Sequence, residues 1–283
     1  MKILTANIAM GVPDSDSLFT NVRAFWEFGG SLMGLYFFLW LLRGRFLDAL
    51  SKRIRLSFPP SARRTRYFSS HNNIPRLLAL VRAEDPDVLV LNEVLRQFHQ
   101  EELTRGLSAL GFVSFAWNFI DYFPDMAFGT LVASKLLAEP FPASIRELPQ
   151  WKSGSRTAGL RFRNAPLSVI GCHLDLAARE LLKGQLDDLA ALHAKEKNAG
   201  RSVVIAGDCN ETAKKILAHP GFCALGFKSV TTQATCPLSF PQILRWDLDH
   251  IFIPTTWQVR DVTYPSFGSD HLAVAAEVTL SFR

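Results

Sequence analysis

The chain has 283 residues, 48% hydrophobic and 20% charged, with a formal net charge of +5. That length and apolar content support a sizeable core in one large domain or two small ones, and no internal repeat or low-complexity tract is visible, which excludes solenoid and disordered architectures. The four cysteines (Cys172, Cys209, Cys223, Cys236) form no C-x-x-C pair, which excludes a zinc ribbon and a disulfide framework and fits a reducing compartment.

Met1–Ile8, MKILTANI, reads as a strand that begins almost at the first residue, so no signal peptide is expected ahead of it. Residues 12–66 break the pattern of the rest. They hold eight Lys or Arg against one Asp between Arg43 and Arg66, which leaves the remaining chain slightly acidic. From residue 73 a helix is predicted, with Asn73 as cap, Pro75 in the first turn and Leu77, Leu78 and Val81 on the apolar face. Asp85-Pro86 ends it, and Val88–Leu91 reads as a strand covered on both faces. A second helix is predicted from Arg96 to Leu110, stopped by Gly111. Phe128–Ser134 reads as a strand, and TAGLRFR and LSVIGCHL around Asn164-Ala165-Pro166 as a hairpin. Arg179–Asn198 is an amphipathic helix with Leu182, Leu186, Leu189 and His193 on one face. Ser202–Ala206, Leu248–Ile253 and Leu272–Leu280 complete the strands, and the mixture implies an α/β protein with mixed sheets.

Polar residues recur where these strands end: Asn7, Glu93, His173, Asp208 with Asn210, Asp249, and Asp270 with His271. Sites gather there because loops converge over a rigid base. These residue types suit metal-assisted phosphoester hydrolysis. A hard cation takes the oxygens of Glu93, Asn7 and Asp270; Asp208 can orient and deprotonate water; His271 can stabilise or protonate, with Asp249 fixing its tautomer. Singly, each has an ordinary reading: Asn7 a turn residue, Glu93 a solvated carboxylate, His173 a hydrogen-bonded core histidine, Asp208 and Asn210 a capped turn, Asp249 and His250 a surface pair. Their order and shared place at strand ends favour one site.

The series TANI, DPDVLVLNEV, GCHLDL, VIAGDCNE, DLDHIFI and GSDHLAV resembles the endonuclease/exonuclease/phosphatase superfamily, with branches such as deoxyribonuclease I, neutral sphingomyelinases and inositol-polyphosphate 5-phosphatases. The motifs occur in family order along nearly the whole chain except residues 12–66. The resemblance implies a single domain over residues 1–283, folded as a four-layer α-β-β-α sandwich with two mixed β-sheets and a site at one end. It implies Mg²⁺ or Mn²⁺ as cofactor, with Glu93 as principal ligand, Asn7 nearby and Asp270 serving the metal or its water. Asp208 is implied to position the attacking water, Asn210 to hold the phosphate or that water, and His271, oriented by Asp249, to contact the scissile phosphate. His173 matches the histidine of the nuclease I, sphingomyelinase and 5-phosphatase branches. Ala9 stands where some DNA-repair members carry an acid, and Cys209 replaces the usual Phe of GDFN.

The segment between the Asn7 and Glu93 motifs is longer than is usual in that family. From Ala24 to Leu42 only Glu27 is charged, which approaches the roughly 20 apolar residues of a membrane span. One crossing would put Asn7 and Glu93 on opposite sides of a bilayer, so an interfacial element is expected, with Trp26, Phe37, Phe38 and Trp40 as apolar contacts and Arg43, Arg45 and Arg53 meeting anionic headgroups. A lid packed on the sandwich and a dimer surface are the other readings of this segment. The resulting expectation is a cytoplasmic Mg²⁺-dependent phosphoric ester hydrolase, peripheral on the inner membrane face and acting on a membrane-associated, phospholipid-type phosphoester. The alternatives are a deoxyribonuclease-like nuclease with nucleic acid as substrate, and a non-catalytic membrane-binding scaffold.

Overall fold

The computed structural model describes residues 1–8, 73–123, 126–146, 157–174, 179–237, 245–269 and 271–282. The expected membrane-contact segment, with Trp26, Phe37, Phe38, Trp40, Arg43, Arg45 and Arg53, and the expected ligand Asp270 lie outside these residues. Two six-stranded mixed sheets dominate the fold. One runs, in spatial order, β13 (Gln258–Thr263), β14 (Val274–Thr279), β1 (Lys2–Asn7), β2 (Val88–Leu95), β4 (Met126–Ser134) and β3 (Ser114–Phe123). The other runs β5 (Ala138–Phe141), β6 (Thr157–Phe162), β7 (Leu167–His173), β8 (Ser202–Asp208), β12 (Asp249–Pro254) and β9 (Phe227–Ser229). A small ribbon joins β10 (Cys236–Pro237) to β11 (Arg245–Trp246).

Side chains on a strand alternate between faces, so each sheet has an inner and an outer set. Ile3, Val88, Val90 and Val274 from the first sheet meet Leu160, Val169, Val204 and Ile251 from the second in a shared inner core. On the outer face of the first sheet, Leu4, Leu89 and Leu91 pack with Leu77, Leu80 and Val81 of α1 (Ile74–Glu84) and Leu103 and Leu107 of α2 (Arg96–Ala109). On the outer face of the second, Ile170, Val203 and Ile205 pack with Leu186 and Leu189 of α3 (Arg179–Asn198), Ile216 of α4 (Ala213–Leu217) and Phe222 of α5 (Pro220–Cys223). The result is the four-layer α-β-β-α sandwich expected from the sequence.

Several details differ from the sequence reading. Asn73 precedes α1 but makes no capping hydrogen bond with its side chain, and Leu80 takes the buried position expected of Leu78. β3, β5 and β13 were not foreseen. β13 exposes most of its side chains at a sheet edge, so it has no apolar alternation to read, whereas β3 turns Phe115, Trp117 and Phe119 toward the α2 layer. His250 is fully buried, with its Nε2 2.9 Å from the Glu211 carbonyl, because it occupies an outward-facing position under the helices rather than the surface.

His99, in the first turn of α2, accepts a hydrogen bond at Nδ1 from the Leu95 amide (3.1 Å), and burial pushes its imidazole down to about 4. A group whose folded pKa lies below its unfolded value favours the native state fully only above the unfolded value. That stability drains away as pH falls from about 6.5 toward 4. Urea titrations at pH 7.5 and 4.5 should therefore show His99→Gln regaining roughly 2 to 3 kcal/mol of the acid-induced loss. An identical acid loss in the variant would show that His99 does not drive it.

Candidate functional site

The same alternation that fills the inner core delivers the polar groups. On β1, Ile3 and Thr5 share a face with Asn7; on β2, Val88 and Val90 share one with Asn92. On β7, Leu167 and Val169 precede His173 in step; on β8, Val204 and Ala206 precede Asp208; on β12, Asp249 leads Ile251 and Ile253. Each strand thus ends its inner row with a polar side chain in the gap between the sheets. Register aligns them, with Asn7 beside Asn92 in the first sheet and His173, Asp208 and Asp249 side by side across β7, β8 and β12 in the second.

Glu93 breaks this parity and reaches the site by another route. Asn92 and Glu93 together face the single residue Thr130 of β4, a β-bulge marked by the register shift between Leu91 and Val94. Glu93 has φ +58°, a left-handed backbone rarely adopted by non-glycine residues, and the bulge turns its carboxylate toward Asn7. The Asn7 carboxamide donates to both acids, at 3.3 Å to Glu93 Oε1 and 2.8 Å to Asp208 Oδ2. His173 Nε2 lies 3.8 Å from the same two oxygens. Asn210, at φ +50°, donates its amide to Asp208 Oδ1 (2.9 Å) and its carboxamide to the Leu174 carbonyl (2.9 Å).

At the other side of Asp208, His271 Nδ1 and Asp249 Oδ2 are 2.7 Å apart in a buried pair, and Asp249 Oδ1 has no hydrogen-bond partner among the described residues. Burial alone would depress the His271 imidazole. The Asp249 carboxylate, together with the Cys236 thiol and Asp208, holds it well above its ordinary value instead. Burial and then the adjacent Asp249 push the Asp208 carboxyl up to about 7, against the pull of His271. Two sets of ligand atoms, Glu93–His173–Asp208 and Asp208–Asp249–His271, each lie within 4.8 Å of one another. Asn7, Glu93, His173, Asp208, Asn210, Asp249 and His271 therefore meet at one end of the sandwich.

Three supporting residues escaped the sequence reading. Asn92, fully buried, donates to Thr130 Oγ1 (3.0 Å) and to the Cys172 carbonyl (3.0 Å) and accepts from the Asp208 amide (2.9 Å), so it ties the two sheets together behind the acids. Its signal was the inner-face position directly after an apolar run. Thr235 accepts the Leu248 and Asp249 amides at 3.1 and 3.0 Å, while its carbonyl holds the Leu272 amide at 2.7 Å. Ser269 donates to the Asn7 carbonyl (2.6 Å) and accepts the His271 amide (3.3 Å). Close approach also constrains Gly207, at φ +141°: a Cβ there would lie 1.9 Å from the Cys172 carbonyl oxygen and 2.9 Å from Asn92 Oδ1. Asn92→Ala leaves the Asp208 amide and Cys172 carbonyl unpartnered. It should cost about 3 kcal/mol in urea denaturation and slow turnover by displacing Asp208. Full stability and activity in that variant would remove Asn92 from this supporting role.

Residues 44–271 match the Endonuclease/Exonuclease/phosphatase family. Comparison with curated proteins yields no match. Among solved structures, the chain is similar to an endonuclease/exonuclease/phosphatase from Beutenbergia cavernae, with TM-score 0.63 and 18% identity over 99% of this chain and 71% of that one. It is similar to an endonuclease/exonuclease/phosphatase family protein from Leptotrichia buccalis, with TM-score 0.60 and 14% identity over 74% of this chain and 93% of that one. It is also similar to the 3′ phosphatase NExo from Neisseria bound to product DNA hairpin, with TM-score 0.56 and 16% identity over 74% of this chain and 95% of that one. At these identities the likeness is one of fold.

Proposed function

Because the chain belongs to the endonuclease/exonuclease/phosphatase family, whose members are hydrolases of phosphoester bonds, we propose that it is a divalent-metal-dependent phosphoesterase acting through the end of the sandwich just described. The observation that carries this reading is the convergence of Glu93, Asp208 and Asp249 with Asn7, Asn210, His173 and His271 from both sheets.

The donor set fits a hard cation. Glu93 and Asp208 meet at His173, and Asp208 and Asp249 at His271, and oxygen donors are the ligands that Mg²⁺ and Mn²⁺ prefer. Glu93 and Asn7 would hold the ion, with Asp270 next to His271 in the chain. When bound, the ion supplies charge neutralisation on a phosphoryl oxygen. Asp208, held at Oδ1 by the Asn210 amide and at Oδ2 by Asn7, orients the attacking water and accepts its proton. His271, its Nδ1–H directed at Asp249, keeps Nε2 for the phosphoryl oxygens and donates to the charge that grows there. His173 and the Asn210 carboxamide stand beside it as further polar contacts to the phosphate.

For the substrate we favour a membrane-associated phosphoester of the phospholipid-headgroup kind. The support is compositional: the apolar run Ala24–Leu42 and the basic run that follows it sit together, whereas the rest of the chain is slightly acidic. A nuclease groove would instead spread Lys and Arg along a phosphate track. No helix among the described residues is long and apolar enough to cross a membrane, and a peripheral contact on the inner membrane face is the arrangement that keeps Asn7 and Glu93 together. The second reading, a nuclease or nucleic-acid phosphatase, is favoured by the likeness to NExo, solved with a DNA hairpin, and would use Arg63, Arg64 and Arg66 on the backbone.

The test is a panel of soluble diesters, plasmid DNA and phospholipid vesicles assayed with Mg²⁺ and Mn²⁺ at rising salt. Removal of residues 24–56 should reduce vesicle binding more than hydrolysis of a soluble diester. Undiminished vesicle binding would end the interfacial reading, and plasmid nicking that collapses with salt while vesicles stay intact would establish the nuclease. No metal-stimulated cleavage of any phosphoester would leave the scaffold reading.

A further inference from the structure

The Asp249–His271 pair joins the two sheets, since Asp249 opens β12 of the second sheet and His271 lies in the connection that leads into β14 of the first. Those two strands belong to different sheets and share no ladder, so the pair depends on other contacts to hold its two chain segments in place. Residues 230–235, which lead from β9 toward β10, supply them. They grip the main chain of Asp249 on both sides: Thr231 Oγ1 donates to its carbonyl (2.9 Å) and Thr235 Oγ1 accepts its amide (3.0 Å). They also reach the other segment at two points. The Thr235 carbonyl accepts the Leu272 amide (2.7 Å), directly after His271. The Thr232 amide donates to the Tyr264 hydroxyl (2.7 Å), which also lies 3.0 Å from Thr232 Oγ1.

Tyr264 directly follows β13, and the chain from there to Ala273 is closed on itself by the Ala273 amide on the Pro265 carbonyl (3.0 Å). Tyr264 and His271 therefore ride on one closed loop. The Tyr264 ring packs against the inner core, which fixes where its hydroxyl stands. A single hydrogen bond between two segments is a pivot, and a second one further along the chain removes the rotation. Leu272 supplies the first and the Tyr264 hydroxyl the second. Among the described residues no hydrogen bond runs from that hydroxyl to Asp208, Asp249 or His271, and Thr232 is exposed to solvent.

We infer that Tyr264 is a positioning residue for the hydrolysis: its hydroxyl latches the 230–235 connection to the loop that carries His271, and so keeps His271 Nδ1 on Asp249. This rests on the phosphoesterase reading of the site and adds to it a residue that acts through His271 and touches no substrate. A latch and an ordinary brace differ in what their loss does. In Tyr264→Phe the ring stays in the core, and the exposed Thr232 amide takes water in place of the hydroxyl, so little stability is lost. The His271 imidazole gains orientational freedom. Its hydrogen bond to the phosphoryl oxygens strengthens only as charge develops there, so that freedom weakens the transition state and leaves ground-state binding alone.

The experiment measures kcat and KM of the full chain and of Tyr264→Phe on a soluble diester in Mg²⁺, with urea denaturation and proton NMR of both. The latch predicts a kcat about tenfold lower, a KM within about twofold and an unchanged urea midpoint. The downfield resonance of the His271 Nδ1 proton, assigned by its loss in Asp249→Asn, should exchange faster with solvent in the variant. Full kcat in Tyr264→Phe overturns the inference. So does a fall in kcat matched by a lower urea midpoint, which makes Tyr264 a brace for the fold, or a fall in kcat with the resonance unaltered, which places its effect elsewhere. Absence of hydrolysis by the wild type on every phosphoester counts against the phosphoesterase reading alone, because faster proton exchange in Tyr264→Phe still establishes the latch and unaltered exchange still removes it.

Discussion

Glu93→Gln is expected to lower Mg²⁺-dependent hydrolysis of a soluble diester by roughly a thousandfold, about 4 kcal/mol of lost stabilisation, while the protein stays folded. The substitution keeps the shape of the side chain and removes one charge. The backbone of β2 gives the reason to expect so large an effect from so small a change. Glu93 sits at φ +58° in a bulge, a conformation that costs of order 1 kcal/mol or more and that a strand would otherwise avoid. Its carboxylate lies within reach of Asn7, His173 and the oxygens of Asp208. Fold stability should change little, because the Glu93 side chain is partly exposed and the Asn7 carboxamide keeps Asp208 as a partner. Calorimetry should show weakened Mg²⁺ binding in parallel. Wild-type turnover at saturating Mg²⁺ in Glu93→Gln would withdraw the residue from its assigned place.

Asp208→Asn should remove most activity, by about 10²- to 10⁴-fold, the range for loss of a general base, and should at the same time stabilise the metal-free protein. The two effects share one cause. Asp208 is buried beside Asp249 and near Glu93, and that surrounding pushes its carboxyl up to about 7. Ionised, it opposes folding; as an amide it carries no charge and keeps the Asn210 amide on its oxygen, at the cost of one acceptor toward Asn7, which is smaller than the relief of the buried charge. A gain of about 1 to 3 kcal/mol in urea denaturation with chelator present is expected, the usual exchange between stability and a strained site. Adding Mg²⁺ should narrow the gap, since the wild type gains from binding an ion that the variant holds less well. A variant both inactive and less stable would point instead to Asp208 as a structural anchor for the Asn210 turn, and undiminished turnover would exclude it as the base.

Much of the candidate site was legible because side chains on a strand alternate strictly. Asn7, His173, Asp208 and Asp249 each stand at the end of a largely apolar strand, which the sequence shows directly, and alternation along those strands turns them between the sheets. The strand-end rule served less well where the chain departs from that alternation. His250 looked like a surface residue because a helix layer over the outer face cannot be read from one strand. Asn73 looked like a cap from its spacing before Pro75, but a cap is a hydrogen bond and none forms.

What the sequence determined by itself was the type of the longer elements and the chemical kinds of group delivered at their strand ends. These depend on local periodicity, which residues a few positions apart carry in full. Only the tertiary structure decided which ends lie side by side: the register of His173, Asp208 and Asp249, the bulge that brings Glu93 into step with Asn7, and the Asn92 clamp between the sheets. Those relations join residues tens to hundreds of positions apart. They follow from how two twisted sheets pack against each other, and no single stretch of chain encodes that packing.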